Sequence, residues 1–203
     1  GKCAAGIKRL AKFFYRHIVK NPIQSMLLLG IGVCLCWIYG RQIILVYGYR
    51  ASDIPVHMSW INEMSRGKIF AKGVYPFGFH CMIYYLHAVF RFDTYVILCQ
   101  FFFAQVIFMH LVLLAMLKQL CKTKYIPYIG TFVFLLGNFW SGQTYSRFYA
   151  TLPQEFGMIF VIPSIYFLIR FFQIPKQKLA DKETRLTLQC FAMAFSLTLA
   201  IHF

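Results

Sequence analysis

The stretch TYVILCQFFFAQVIFMHLVLLAML, residues 94–117, carries no charged side chain, and Lys118, Lys122 and Lys124 follow it. A hydrocarbon core about 30 Å thick takes about 20 helical residues to cross. Within lipid only a helix or a closed barrel can satisfy its own backbone. A barrel strand would alternate between polar and apolar residues, and this run does not. It reads as a membrane-spanning helix with a basic end.

Four more apolar runs flank it. One begins near Pro22 and reaches about Val46, with its core at Met26–Tyr39 and Arg41 placed to snorkel outward. Ile126–Trp140 is short by itself but extendable at both ends. Phe156–Phe172 follows a polar turn over Ser141–Glu155, and Leu186–Phe203 is the last. The predicted fold is all-α: a polytopic transmembrane helical bundle of about five spans, with amphipathic interfacial helices in the first outer loop. We expect residues 1–203 to form a single transmembrane domain, the amino-terminal part of a longer protein.

Composition agrees. The chain is 60% hydrophobic and only 13% charged, where a soluble domain carries about 25% charged residues. The net charge of +15 does not indicate nucleic acid. Nucleic-acid binders present basic residues on a soluble surface, whereas here they flank apolar runs, where anionic headgroups are the natural partners. Residues 1–21, 118–124 and 170–185 hold 6, 3 and 5 basic residues, 14 of the 21. The positive-inside rule places these segments in the cytoplasm and the amino terminus with them. Residues 1–21 also space Ile7, Leu10, Ala11, Phe14 and Ile18 as an amphipathic helix for the inner leaflet. The seven cysteines show neither zinc-like spacing nor a disulfide framework, and read as small buried hydrophobes.

Residues 47–93 form the first outer loop. Ile54–Ser65 and Phe77–Phe90 have helical patterns, and the second, too short to span, reads as re-entrant or interfacial. If it crossed, the lysines after Leu117 would face outside.

Four of the six acids, Asp53, Glu63, Asp93 and Glu155, fall on this outer side. Asp53 and His57 are four residues apart and share a face if helical. A carboxylate and an imidazole at a membrane–water boundary can act as base and orienting group. Asp53 also suits the helix N-cap before Pro55, and the two roles are compatible. In Tyr75-Pro76-Phe77-Gly78-Phe79-His80 the backbone turns before a helix, and His80 is either an interfacial side chain or a phosphate or sugar ligand. No cofactor is expected, although Asp53, His57 and His80 together carry donor types suited to a divalent metal. In the second outer loop Arg147 and Glu155 bracket Tyr145, Tyr149 and Gln154. The planar fork of an arginine suits phosphate, and Arg50 is a second candidate cation. Gln100, Gln105, His110 and Asn138, inside the spans, are expected to join helices.

One span, an outer loop with an early Asp, then His and Trp, then a Tyr-Pro-x-Gly-x-His turn: over roughly residues 22–173 this resembles membrane glycosyltransferases of the GT-C superfamily. It looks most like bacterial mannosyl- and aminoarabinose-transferases. The matching residues are Asp53, His57, Trp60, Tyr75, Pro76, Gly78 and His80. Many relatives carry paired acids in this loop, and here Ser52 stands beside Asp53. The resemblance implies transfer of a sugar from a polyprenyl-phosphate donor at the outer face, in the cell envelope. Asp53 would be catalytic, as the base or the group that orients the acceptor. His57, His80, Arg50, Arg147 and Glu155 are the candidate substrate-binding residues. The alternatives are a transporter or flippase, which would place ionisable groups at midmembrane, and a non-catalytic membrane assembly subunit.

Overall fold

The computed structural model describes residues 15, 18–45, 48–70, 76–141, 147–175, 177 and 181–202. Most of the expected amino-terminal amphipathic helix, with Cys3, Tyr75 and Tyr145, lies outside them. The described residues are helical, with no strand among them.

Seven helices organise the described part of the chain from Pro22 onward. Helix α1 is Pro22–Leu45, α2 Ile54–Ser65, α3 Gly78–Phe90, α4 Thr94–Leu120, α5 Ile126–Trp140, α6 Pro153–Phe172 and α7 Lys182–Ile201. Helices α1, α4, α6 and α7 are long and apolar enough to cross a membrane. The chain is therefore an integral membrane protein, a helical membrane bundle. Helix α5 is apolar too, but its 15 residues rise about 22 Å and do not extend at the amino end, where Pro127 follows the Tyr125 cap. Helix α3 has 13 residues, about 20 Å, and lacks the length to span, as its sequence suggests.

Two helices start earlier than their apolar runs. Helix α6 takes in Pro153, Gln154 and Glu155, residues the sequence assigns to a polar turn. Proline fits the first helical turn, and an acid there complements the helix dipole. Helix α7 begins at Lys182 with Glu183 in its first turn for the same reason.

The bundle has two layers. In the first, α1, α4, α5 and α6 enclose a core that includes Tyr39, Phe102, Val106 and Leu135. Helix α4 is the most buried span, and α5 and α6 pack on it. Leu29, Val33 and Trp37 of α1 face outward, toward lipid. Helix α1 widens into a π-type turn at Cys36–Gly40. Such turns release carbonyls from the helical ladder, and here the Tyr149 hydroxyl donates to the Ile38 carbonyl at 3.0 Å. Arg41 bends back over the Trp37 ring, 5.4 Å from its centroid, as a snorkelling side chain does.

Several polar side chains within the helices bond to their own backbone. Thr131 donates to the Pro127 carbonyl, Thr198 to Ala194, and the His110 Nδ1–H to Val106. His110 thus joins α4 to α5 by packing its ring against Phe134 at 5.4 Å, while its hydrogen bond stays within α4. The buried Gln105 and Asn138 side chains likewise make no interhelical bond among the described residues. Of the described cysteines only Cys99 is buried, while Cys36 and Cys81 are exposed.

The second layer sits at the end of the bundle where α1 and α7 finish and α4 and α6 begin. Helices α2 and α3 pack on each other, on α4 and, through α3, on α7. Ile54, Ile61, Phe79, Ile83 and Leu98 are fully buried between them, joined by Ile201. Gly78 makes this approach possible: a Cβ there would lie 2.6 Å from the Ala200 carbonyl oxygen.

Gly78→Ala must therefore push α3 off the end of α7. We expect about 1–3 kcal/mol of destabilisation and a midpoint about 2–12 °C lower in thermal unfolding of the detergent-solubilised protein. Gly137→Ala, which meets nothing within 4 Å, should leave the midpoint unchanged or higher.

Candidate functional site

Asp53 is the residue before α2, yet its side chain makes no cap hydrogen bond. Its backbone (φ −82°, ψ −16°) is already helical, whereas a capping residue needs an extended backbone to aim its oxygen at the next amides. Asp93 has that backbone (φ −64°, ψ 130°) and caps α4, accepting from the amides of Tyr95 at 2.8 Å and Val96 at 3.2 Å. The capping role expected of Asp53 thus belongs to Asp93. The Asp53 carboxylate stays exposed and accepts a bond from the Ser52 hydroxyl at 3.2 Å.

One turn on, His57 points inward from α2 and is buried. Its Nδ1 lies 2.9 Å from Nε2 of His80, which α3 buries completely. Aromatic rings enclose the pair: Trp60 and Phe77 lie 5.2 Å and 5.6 Å from the His80 ring, and Phe79 lies 5.6 Å away. Burial, first, and the neighbouring His57, second, push the His80 pKa down to about 3, against a smaller upward pull from the Pro76 carbonyl. His57 is also lowered, mainly by burial, with the Asp53 charge pulling the other way. Both rings are therefore neutral at pH 7, and one must donate to the other.

Arg147 and Glu155 form the second half of the site. The Arg147 Nε–H donates to Glu155 Oε1 at 2.5 Å, and its Nη2–H to Gln154 Oε1 at 2.6 Å. The first turn of α6 supplies both acceptors. Glu155 is buried while about half of the Arg147 side chain is exposed. The other carboxylate oxygen, Glu155 Oε2, is buried without a hydrogen-bond donor among the described residues. The Arg147 pKa is raised, chiefly by its bond to Glu155, and the charge of Asp53 adds to this. Asp53 thus acts electrostatically on both Arg147 and His57, which links the two halves.

Arg50 goes elsewhere. It donates to the Gln42 carbonyl at 2.6 Å and stacks over Phe102 and Tyr149, 4.8 Å and 5.5 Å from their centroids. It fastens the end of α1 to α4 and to the segment before α6. Two contributors escaped the sequence reading. His202, after the last turn of α7, acts on the charge of His57, and only a lone histidine near the chain end signalled it. Thr151 accepts from the Phe102 amide at 2.9 Å and holds the Arg147 segment against α4. No group of three His, Cys, Asp or Glu side chains among the described residues is arranged to hold a metal ion.

No family model matches this chain, and no curated protein or solved structure does.

The histidine pair makes stability depend on pH. An unfolded chain takes up protons at these positions as pH falls below about 6.5, whereas the folded pair resists protonation, His80 until about pH 3. The unfolded state then binds more protons, so stability is complete above pH 6.5 and is lost progressively as pH falls toward 3. The unfolding midpoint should decline between pH 6.5 and 4.5, and His80→Phe should flatten that decline. An equal decline in the variant would place the sensitive group elsewhere.

Proposed function

We propose that this protein is a membrane glycosyltransferase that moves a sugar from a polyprenyl-phosphate donor to an acceptor hydroxyl at the outer face of a bacterial plasma membrane, with its amino terminus in the cytoplasm. The observation that carries this reading is Asp53. It is an exposed carboxylate, released from helix capping, whose charge bears on the His57 imidazole and on the half-exposed Arg147.

A lipid-linked donor keeps its tail in the bilayer and its phosphate at headgroup level. Asp53 would take the proton of the acceptor hydroxyl as that oxygen bonds to the anomeric carbon. The bond from that carbon to the phosphate oxygen breaks, and the phosphate leaves with the electron pair. Two of the five guanidinium N–H donors of Arg147 are committed to Glu155 and Gln154. The rest suit the departing phosphate, and Glu155 fixes the guanidinium plane. The buried His57–His80 pair would set the position of α2, and with it Asp53.

The placement of acids favours this over transport. None lies midway along a spanning helix: Asp93, Glu155 and Glu183 stand at helix beginnings, whereas transporters put ionisable groups at midmembrane.

In membranes containing the full-length protein, with polyprenyl-phosphate-linked hexoses as donors, Asp53→Asn should reduce sugar transfer about 100-fold or more. Arg147→Gln should reduce it to a similar degree. Transfer undiminished by Asp53→Asn would refute the base assignment.

A further inference from the structure

At the opposite end of the bundle, α1 begins, α4 ends and α5 begins around one cavity of about 380 Å³. Lys118, Lys122 and Lys124 line it, with Asn21, Gln24 and Tyr128, and no acidic side chain does. Two helix amino ends open on it, α1 at Asn21 and α5 at Tyr125, neither with a side-chain cap bond. Each presents partial positive charge, although Pro22 and Pro127 leave each first turn one amide short. The carboxyl end of α4 contributes the opposite sign, but Lys118 stands in its last turn. The Lys118 ammonium is held over the Tyr128 ring, 4.8 Å from the centroid, so one of the three cations is placed by a rigid neighbour.

Tyr128 also lines a second space. Directly beyond it, Ile23, Leu27, Ile31, Ile129 and Phe132 form a groove of about 470 Å³ between α1 and α5, along the length of the helices. Its lining is almost wholly apolar, and Gly30 leaves its floor open: a Cβ there would meet nothing within 4 Å. A cationic cavity thus runs into an apolar groove at one shared residue.

We propose that this cavity and groove bind a single anionic phospholipid, with its phosphate among Lys118, Lys122 and Lys124 and one acyl chain in the α1–α5 groove. The charge fits an anionic headgroup and opposes a cationic one. The groove fits a chain that stays in the bilayer, where a soluble phosphate would leave it unused. A lipid here would also cover α5, the helix too short to reach across the hydrocarbon by itself.

The test is native mass spectrometry of the purified full chain in detergent. It would be offered phosphatidylglycerol, phosphatidylcholine of equal chain length, or glycerol 1-phosphate. We expect phosphatidylglycerol to be retained at least about tenfold better than phosphatidylcholine. Each Lys→Gln change at 118, 122 or 124 should weaken its retention about fivefold. Lys182→Gln with Arg185→Gln, on the same face but outside the cavity, should leave it unchanged. Gly30→Phe, which fills the groove, should reduce retention of both lipids. Unaltered phosphatidylcholine binding in the lysine variants confirms that they fold. Equal retention of the two lipids by the native chain would overturn the proposal, as would a preference that survives all three lysine changes. Glycerol 1-phosphate bound as strongly as phosphatidylglycerol would also overturn it, since the cavity would then take free phosphate and the groove would play no part.

Discussion

A charge in hydrocarbon costs several kcal/mol or must find a partner, and this constraint arranges the whole chain. Every described charged residue lies outside the spanning helices or within about a turn of their ends. Arg41 folds over Trp37, Lys118 over Tyr128, and Glu155, in the first turn of α6, is paired with Arg147. What remains inside is mostly apolar or, like Thr131, Thr198 and His110, bonded to its own helix, while the buried Gln105 amide makes no hydrogen bond among the described residues. The helix ends therefore carry nearly all the chemistry, at two faces with different character. One collects Asp53, the histidines, Arg147 and Glu155, and the other collects lysines.

The two layers are held by different forces. Among the spanning helices, lipid is as apolar as the side chains, so packing contacts and shape decide association. In the α2–α3 layer, water competes, and each buried Ile or Phe there contributes about 1.5–3 kcal/mol. Ile54, Ile61, Phe79 and Ile83 drive α2 and α3 together and onto α4. The His57–His80 bond then selects one register among the ways those apolar faces could meet. Asp53 inherits its position from that register, one turn before His57.

Much of this was legible in the sequence, for reasons that differ by residue. Helix α2 runs over Ile54–Ser65 as its pattern predicts, because one apolar face and a proline in the first turn specify it locally. The apolar helices were legible from the absence of charge, a signal that needs no tertiary information. The start of α6 was not, because Gln154 and Glu155 look like a turn until Arg147 bonds to both. The choice of capping aspartate was not either. Asp53 and Asp93 both precede helices, and only their backbone angles separate them. The meeting of His57 with His80 depends on how α3 crosses α7 at Gly78, which no local pattern encodes.

The central claim is that α2 and α3 form a layer on the outer side, with the site on it and α3 not crossing the membrane. Single cysteines at Ser65 and Phe92, exposed positions on either side of α3, test this in an otherwise cysteine-free chain. The reagent is a membrane-impermeant maleimide applied to intact cells. The account predicts that both positions label from outside. Labelling of one position only, or of both only after permeabilisation, would contradict it.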